Sequence, residues 1–220
     1  MGALLPAAVA TAEAHEWVDD DLFEEEERAL AGAGEKRRAQ FATGRACARS
    51  ALASLGVAPQ AIAVGRDGEA LWPPGTIGSI THCDGYAAAA VAARASVATL
   101  GIDAEPSRAL PRRVSARIAS ERELAAHAWN GVAREAQLHP ETIIFSTKEA
   151  VFKAWFTLTG RKLGFAQVEV ALDRARRELD ARVLAAPAVL EGRPIDVLRG
   201  RWCVRDGLVC AAVMLGRGAR

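Results

Sequence analysis

The chain has 220 residues, 50% of them hydrophobic and 25% charged, with a formal net charge of +1. That length buries a real core as one large domain or two small ones. The near-neutral balance leaves no global field to attract nucleic acid or a membrane surface, so any anion site must be local.

Residues 2–10 are apolar and small, but Met1-Gly2 brings no basic side chain and Pro6 breaks the run, so an N-terminal strand fits better than a signal peptide. No apolar run approaches the roughly 18–20 residues that a membrane span needs. The acids between Asp19 and Glu27 read as a solvated helix start. A helix follows from about Glu35 to Leu55, ended by Gly56. A strand-like stretch at Ala61–Val64, a turn at Arg66-Asp67-Gly68 and a loop at Trp72-Pro73-Pro74-Gly75 come next. Ile77–Thr81 and Tyr86–Val91 form a hairpin about Asp84-Gly85, and Val97–Glu105 is a third strand.

The second half has the same order. Helices are expected over Glu121–Gln137 and from about Ser146 to Leu158, the latter ended near Gly160. Strands follow at Val168–Leu172, Leu179–Val183 and Gly200–Arg205, and an Asp206-Gly207 turn leads into Leu208–Leu215. The fold class is therefore α+β: two similar halves, each a small antiparallel sheet on a long helix, divided near residues 104–112 where Pro106 and Pro111 interrupt the chain. Cys47, Cys83, Cys203 and Cys210 form no C-x-x-C pair and match no zinc spacing. Reduced thiols in a cytoplasmic protein are the expectation.

Three carboxylates stand out. Asp103 and Glu105 are two apart on a strand and so face one side. Hard oxygen ligands at that spacing suit Mg²⁺, though a pair of exposed acids at a strand end is the plainer reading. Ser146 with Glu149 has the pattern of a helix capping box, and Glu149 with Lys153 that of a surface ion pair one turn apart. The same geometry lets Glu149 complete a metal site or act as a base, with Lys153 facing a leaving phosphate. On the first long helix Arg38, Arg45 and Arg49 share a stripe flanked by Arg37, either a solvated basic face or a phosphate grip. Gly78-Ser79-Ile80-Thr81-His82 offers hydroxyls, backbone N–H groups and an imidazole at a strand end.

Together these segments resemble one family. Gly101-Ile102-Asp103-Ala104-Glu105 and Lys148-Glu149-Ala150-Val151-Phe152-Lys153 are similar to the two signatures of 4′-phosphopantetheinyl transferases of the Sfp/EntD type, the actinobacterial enzymes above all. The basic helix from Lys36 to Arg49, the Trp72-Pro73 and Gly78–Cys83 segments, and Lys153-Ala154-Trp155-Phe156 with Leu163-Gly164-Phe165 extend the likeness in order over residues 35–170. The resemblance implies a pseudo-twofold monomer, halves 1–106 and 107–220, with the active site in the cleft between them. Its donor would be coenzyme A and its acceptor a serine of an apo acyl carrier protein or carrier domain. Fatty-acid, polyketide, nonribosomal-peptide and siderophore systems all remain open as the source of that carrier.

Residue by residue, Asp103, Glu105 and Glu149 match Mg²⁺ (or Mn²⁺) ligands, Glu149 also the base and Lys153 the residue assisting the leaving bisphosphate. Arg37, Arg45, Thr81 and His82 match contacts to the adenosine 3′-phosphate end, and Lys148 a phosphate contact. Many relatives carry a lysine where this chain has Asp67, and Arg66 is the candidate to replace it. Acidic carriers would meet a basic surface, with Arg112, Arg113 and Arg117 as candidates. The competing readings are a non-catalytic module that binds coenzyme A or carriers, and a Mg²⁺-dependent nucleotide hydrolase.

Overall fold

The computed structural model describes residues 1–18, 21–127 and 138–218. In chain order the elements are β1 (Val9–Ala14), α1 (Glu24–Arg28), α2 (Glu35–Ser54), β2 (Thr76–Cys83), β3 (Tyr86–Ala93), β4 (Val97–Pro106), α3 (Arg112–Ile118), α4 (Glu121–Ala126) and α5 (Pro140–Thr159). They continue with β5 (Val168–Asp173), β6 (Glu178–Val183), the short hairpin β7 (Ala188–Leu190) and β8 (Arg193–Ile195), then β9 (Val197–Arg205) and β10 (Leu208–Gly216). A 3₁₀ turn at Gly2–Leu4 precedes β1, so the N-terminal strand begins later than the apolar run suggested.

Every described sheet is antiparallel. One is ordered β1-β3-β2 and a second β4-β10-β9-β6-β5. β4, expected beside the first hairpin, pairs instead with β10, in a register that sets Asp103 against Ala211 and Glu105 against Val209. Its other edge faces β2, yet no backbone ladder forms there. The hydroxyls of Ser79 and Thr81 accept the N–H groups of Ile102 (3.1 Å) and Ala104 (3.0 Å), so these edge donors are satisfied by side chains.

The alanine run of β3 has poor strand propensity, and packing explains it. Ala87, Ala89 and Val91 meet Cys47, Ala48, Ala51 and Leu52 of α2, while Ala88, Ala90 and Ala92 meet Leu100, Ile102 and Ala104 of β4. Small side chains on both faces let a helix and a second sheet approach one central strand. α5 buries Ile143, Val151, Ala154 and Trp155 against Val170, Leu179, Trp202 and Val213 of the larger sheet.

The helix expected from Ser146 begins six residues earlier. Pro140 occupies its first turn, where the missing N–H costs nothing. Ser146 is thus fully buried inside the helix, and no Ser146–Glu149 capping box exists. The box is at Ser120–Glu123, where Ser120 Oγ accepts from Glu123 N and the carboxylate accepts from Ser120 N. The helix expected over Glu121–Gln137 is seen as Glu121–Ala126, and residues 128–137 lie outside the described residues. Ala61–Val64 forms no strand, only a single bridge from Val64 to Ala70. Among the described residues, no helix is long and apolar enough to cross a membrane.

Candidate active site

Strand alternation builds the first wall. On β4, Leu100, Ile102 and Ala104 enter the core, which turns Thr99, Gly101, Asp103 and Glu105 toward α5. Gly101 sets the spacing: a Cβ there would overlap the carbonyl oxygen of Ala150, so only glycine lets α5 lie this close to β4. Thr99 Oγ1 fixes the register by donating to the carbonyl of Ala154. Glu149 and Lys153, one turn apart on α5, are thereby brought near the strand's carboxylates.

The expected Glu149–Lys153 pair gives way to a tertiary one. Lys153 Nζ donates to Asp103 Oδ1 at 2.8 Å and to the Ile102 carbonyl at 2.9 Å. Thr81 Oγ1 donates to the same Oδ1 at 3.2 Å, whereas Asp103 Oδ2 is buried and has no partner. Burial, then the Asp103 and Glu149 charges, push the Glu105 carboxyl up to about 7 against the pull of Lys153. Burial and Asp103 likewise raise the Glu149 carboxyl above its ordinary range. One ammonium, bonded to Asp103, faces three mutually repelling acids, with Arg108 acting more weakly on Glu105.

Among the described residues, no three such side chains are gathered tightly enough to cage a metal ion by themselves. The donor set nonetheless suits a hard divalent cation. It is all oxygen, one oxygen is buried without a partner, and Mg²⁺ ordinarily takes only one or two carboxylates and completes its shell with water and phosphate.

The opposite wall belongs to α2 and β2. Arg37 Nη1 lies 3.0 Å from His82 Nε2. Because a guanidinium can only donate, that nitrogen accepts and the ring is neutral. Burial first, then Arg37 and Lys153, hold the His82 pKa below the usual histidine value. Arg45 is buried over the Phe41 ring; its Nε donates to the Ile62 carbonyl at 2.7 Å and lies 3.8 Å from the Glu26 carboxylate as an ion pair. Glu26 corrects the reading of the acidic run as a solvated face. It is fully buried and accepts from Arg49, Ile62 N and Phe23 N. Arg38 pairs with Glu27, so the arginine stripe is answered largely by the acids before it.

Between the walls lies a cleft of about 620 Å³, lined among others by Arg37, Phe41, Arg45, Trp72, His82, Glu149 and Lys153. Its apolar part rests on Trp72, whose ring covers Gly78 so closely that a Cβ would strike it. Trp72 and Phe41 supply aromatic faces that the sequence reading did not assign. The pairing of an unbroken Trp-Pro loop with a strand glycine is the signal that could have found them.

Asp103 and Glu105 are themselves absent from this lining, and three other expected contacts do not reach the cleft. Lys148 is 1% exposed, and its ammonium is spent on Glu123 (3.0 Å) and the carbonyls of Ile118 and Phe165. Thr81 faces β4, where it orients Asp103 and Ala104. Arg66 is exposed and absent from the lining, where its neighbour Asp67 appears instead, paired with Lys162.

The sequence matches known proteins along most of its length. Residues 25–92 match the 4′-phosphopantetheinyl transferase N-terminal domain, and residues 99–189 match the 4′-phosphopantetheinyl transferase superfamily. The 4′-phosphopantetheinyl transferase Svp of Streptomyces mobaraensis is 43% identical over 100% of this chain and 90% of its own. Npt of Nocardia iowensis is 39% identical over 96% of this chain and 97% of its own. PptT of Mycobacterium tuberculosis is 42% identical over 87% and 85%.

Proposed function

The chain belongs to the 4′-phosphopantetheinyl transferase superfamily, and from that premise we infer that it transfers the 4′-phosphopantetheine group of coenzyme A to a serine of an apo carrier protein. The observation that supports the site assignment is one cleft lined on one side by Glu149 and Lys153, the latter bonded to Asp103, and on the other by Arg37, Arg45 and the neutral His82. The adenosine 3′-phosphate end would lie against Arg37, His82 and Arg45, with the base against Trp72 and Phe41. The pyrophosphate would then reach Lys153. In this reading the halves 1–106 and 107–220 face each other across the cleft, and the protein acts as a cytoplasmic monomer.

In the reaction, the carrier serine oxygen bonds to the pantetheine-linked phosphorus. The bond from that phosphorus to the bridging oxygen breaks, and adenosine 3′,5′-bisphosphate leaves. Glu149 takes the serine proton. Burial and Asp103 raise its basicity toward neutral pH, which is where a general base works best. Lys153, one turn on, neutralises charge on the departing bisphosphate. Asp103, Glu105 and Glu149 would hold Mg²⁺, or Mn²⁺ in its place. When bound, the ion supplies positive charge for the pyrophosphate oxygens, where positioning and electrostatics carry most of the barrier reduction. The exposed Arg112, Arg113 and Arg117 of α3 offer an acidic carrier a docking face.

The test is incubation with coenzyme A, Mg²⁺ and a panel of apo carriers from fatty-acid, polyketide, nonribosomal-peptide and siderophore systems. Intact-mass analysis should show one phosphopantetheine added at the carrier serine. Binding of coenzyme A without modification of any carrier would leave the non-catalytic reading. Consumption of coenzyme A without carrier modification would leave the hydrolase.

A further inference from the structure

At the mouth of the cleft an ion pair joins two segments far apart in sequence. Lys162 Nζ lies 2.7 Å from Asp67 Oδ1, and both residues line the cleft. Neither sits on a loose loop. The Asp67 turn is closed by the Gly65 N–H to the Glu69 carbonyl (2.8 Å) and by the Asp67 N–H to the Glu69 carboxylate (2.9 Å). Lys162 follows the left-handed Gly160 cap of α5. Its predecessor Arg161 stacks over Trp155 and donates to the carbonyls of Ala186 and Pro187, and its successor Leu163 packs on the core. The two backbones that carry these charges are thus anchored beside the cleft.

With side chains 68% and 43% exposed, the pair is screened by solvent and readily exchanged. A phosphate presents more charge and more acceptor oxygens to an ammonium than one carboxylate does. On the reading that this cleft takes coenzyme A, we propose that Lys162 is a phosphate-binding residue held in reserve. At rest Asp67 occupies its ammonium, and an entering phosphate of coenzyme A takes Asp67's place. Asp67 then acts as a competitor that restrains affinity, and Arg66, pointing into solvent, has no part in the contact.

Calorimetric titration of coenzyme A and dephospho-coenzyme A into the wild type, Lys162→Ala, Lys162→Arg and Asp67→Asn tests this. Lys162→Ala should raise the Kd for coenzyme A about 5–10-fold, as for loss of one charge-assisted hydrogen bond in a wet site. Lys162→Arg should restore affinity to within about twofold, and Asp67→Asn should tighten binding about two- to threefold by removing a competing charge. If the Lys162→Ala penalty disappears with dephospho-coenzyme A, the 3′-phosphate is the partner; if it persists, the pyrophosphate is. A Kd unchanged in Lys162→Ala overturns the proposal. So does equal weakening by Lys162→Ala and Asp67→Asn, which would mark the pair as a brace. Absence of coenzyme A binding by the wild type overturns the underlying reading of the cleft, and this one with it.

Discussion

Glu123 and the Asp103–Glu105–Glu149 group are both acids withdrawn from water beside α5, and they are provisioned in opposite ways. Glu123 accepts from Ser120 N, Val170 N and Lys148 Nζ at 2.9–3.0 Å, so every strong donor it needs is within the fold. Burial works to raise its carboxyl, but those N–H groups and the Lys148 ammonium hold it below the ordinary range. Glu26 is satisfied in the same manner by Arg49 and two backbone N–H groups. The Asp103–Glu105–Glu149 acids have Lys153 as their one bonded cation, with Arg108 acting more weakly on Glu105, leave Asp103 Oδ2 without a partner, and have Glu105 pushed up to about 7. An acid that the fold needs is neutralised by the fold. An acid left short of positive charge is a candidate for a complement that arrives with the ligands.

This contrast predicts that the two kinds of acid fail differently. Glu149→Gln should lower transfer by about 10²–10⁴-fold, the worth of a general base, while coenzyme A binding and the thermal midpoint hold or the midpoint rises. Near-normal turnover in that variant would remove Glu149 from the proton path. Glu123→Ala should do the reverse. It strands a buried Lys148 and should cost about 3–5 kcal/mol of stability, read by denaturant unfolding, while the folded fraction keeps its transfer activity. An unfolding curve like the wild type's would show that the pair is dispensable.

A smaller effect concerns pH. Because the folded Glu123 pKa lies below the unfolded value, its contribution is complete above about 4.5 and is lost as pH falls through the folded value. Glu123→Gln should flatten the acid limb of the stability curve. An acid limb as steep as the wild type's would place the linkage on other groups.

Much of the cleft was legible because periodicity dictates it. Alternation on β4 put Asp103 and Glu105 on one face, and four residues on α5 returned Lys153 to the face of Glu149. The same rule explains the miss at Lys148. One residue turns a helix by 100°, and Lys148 therefore shares its side with Val151 and Trp155, in the core. Pro140 at the first turn, a recognised helix start, is the unused sequence signal for the true beginning of α5, which places Ser146 inside the helix rather than at its cap. The partners of Glu26, the exchange of β4 into the second sheet and the Asp67–Lys162 contact depend on pairings between distant segments, for which local pattern carries no information.

We propose that Asp103, Glu105 and Glu149 are left short of positive charge because they serve a divalent cation during phosphopantetheine transfer. The most direct test is intact-mass analysis of an apo carrier incubated with the protein and coenzyme A, first in excess EDTA and then after Mg²⁺ is restored. An unmodified carrier is expected in EDTA, and full phosphopantetheine addition once Mg²⁺ returns. Full addition in excess EDTA would contradict it.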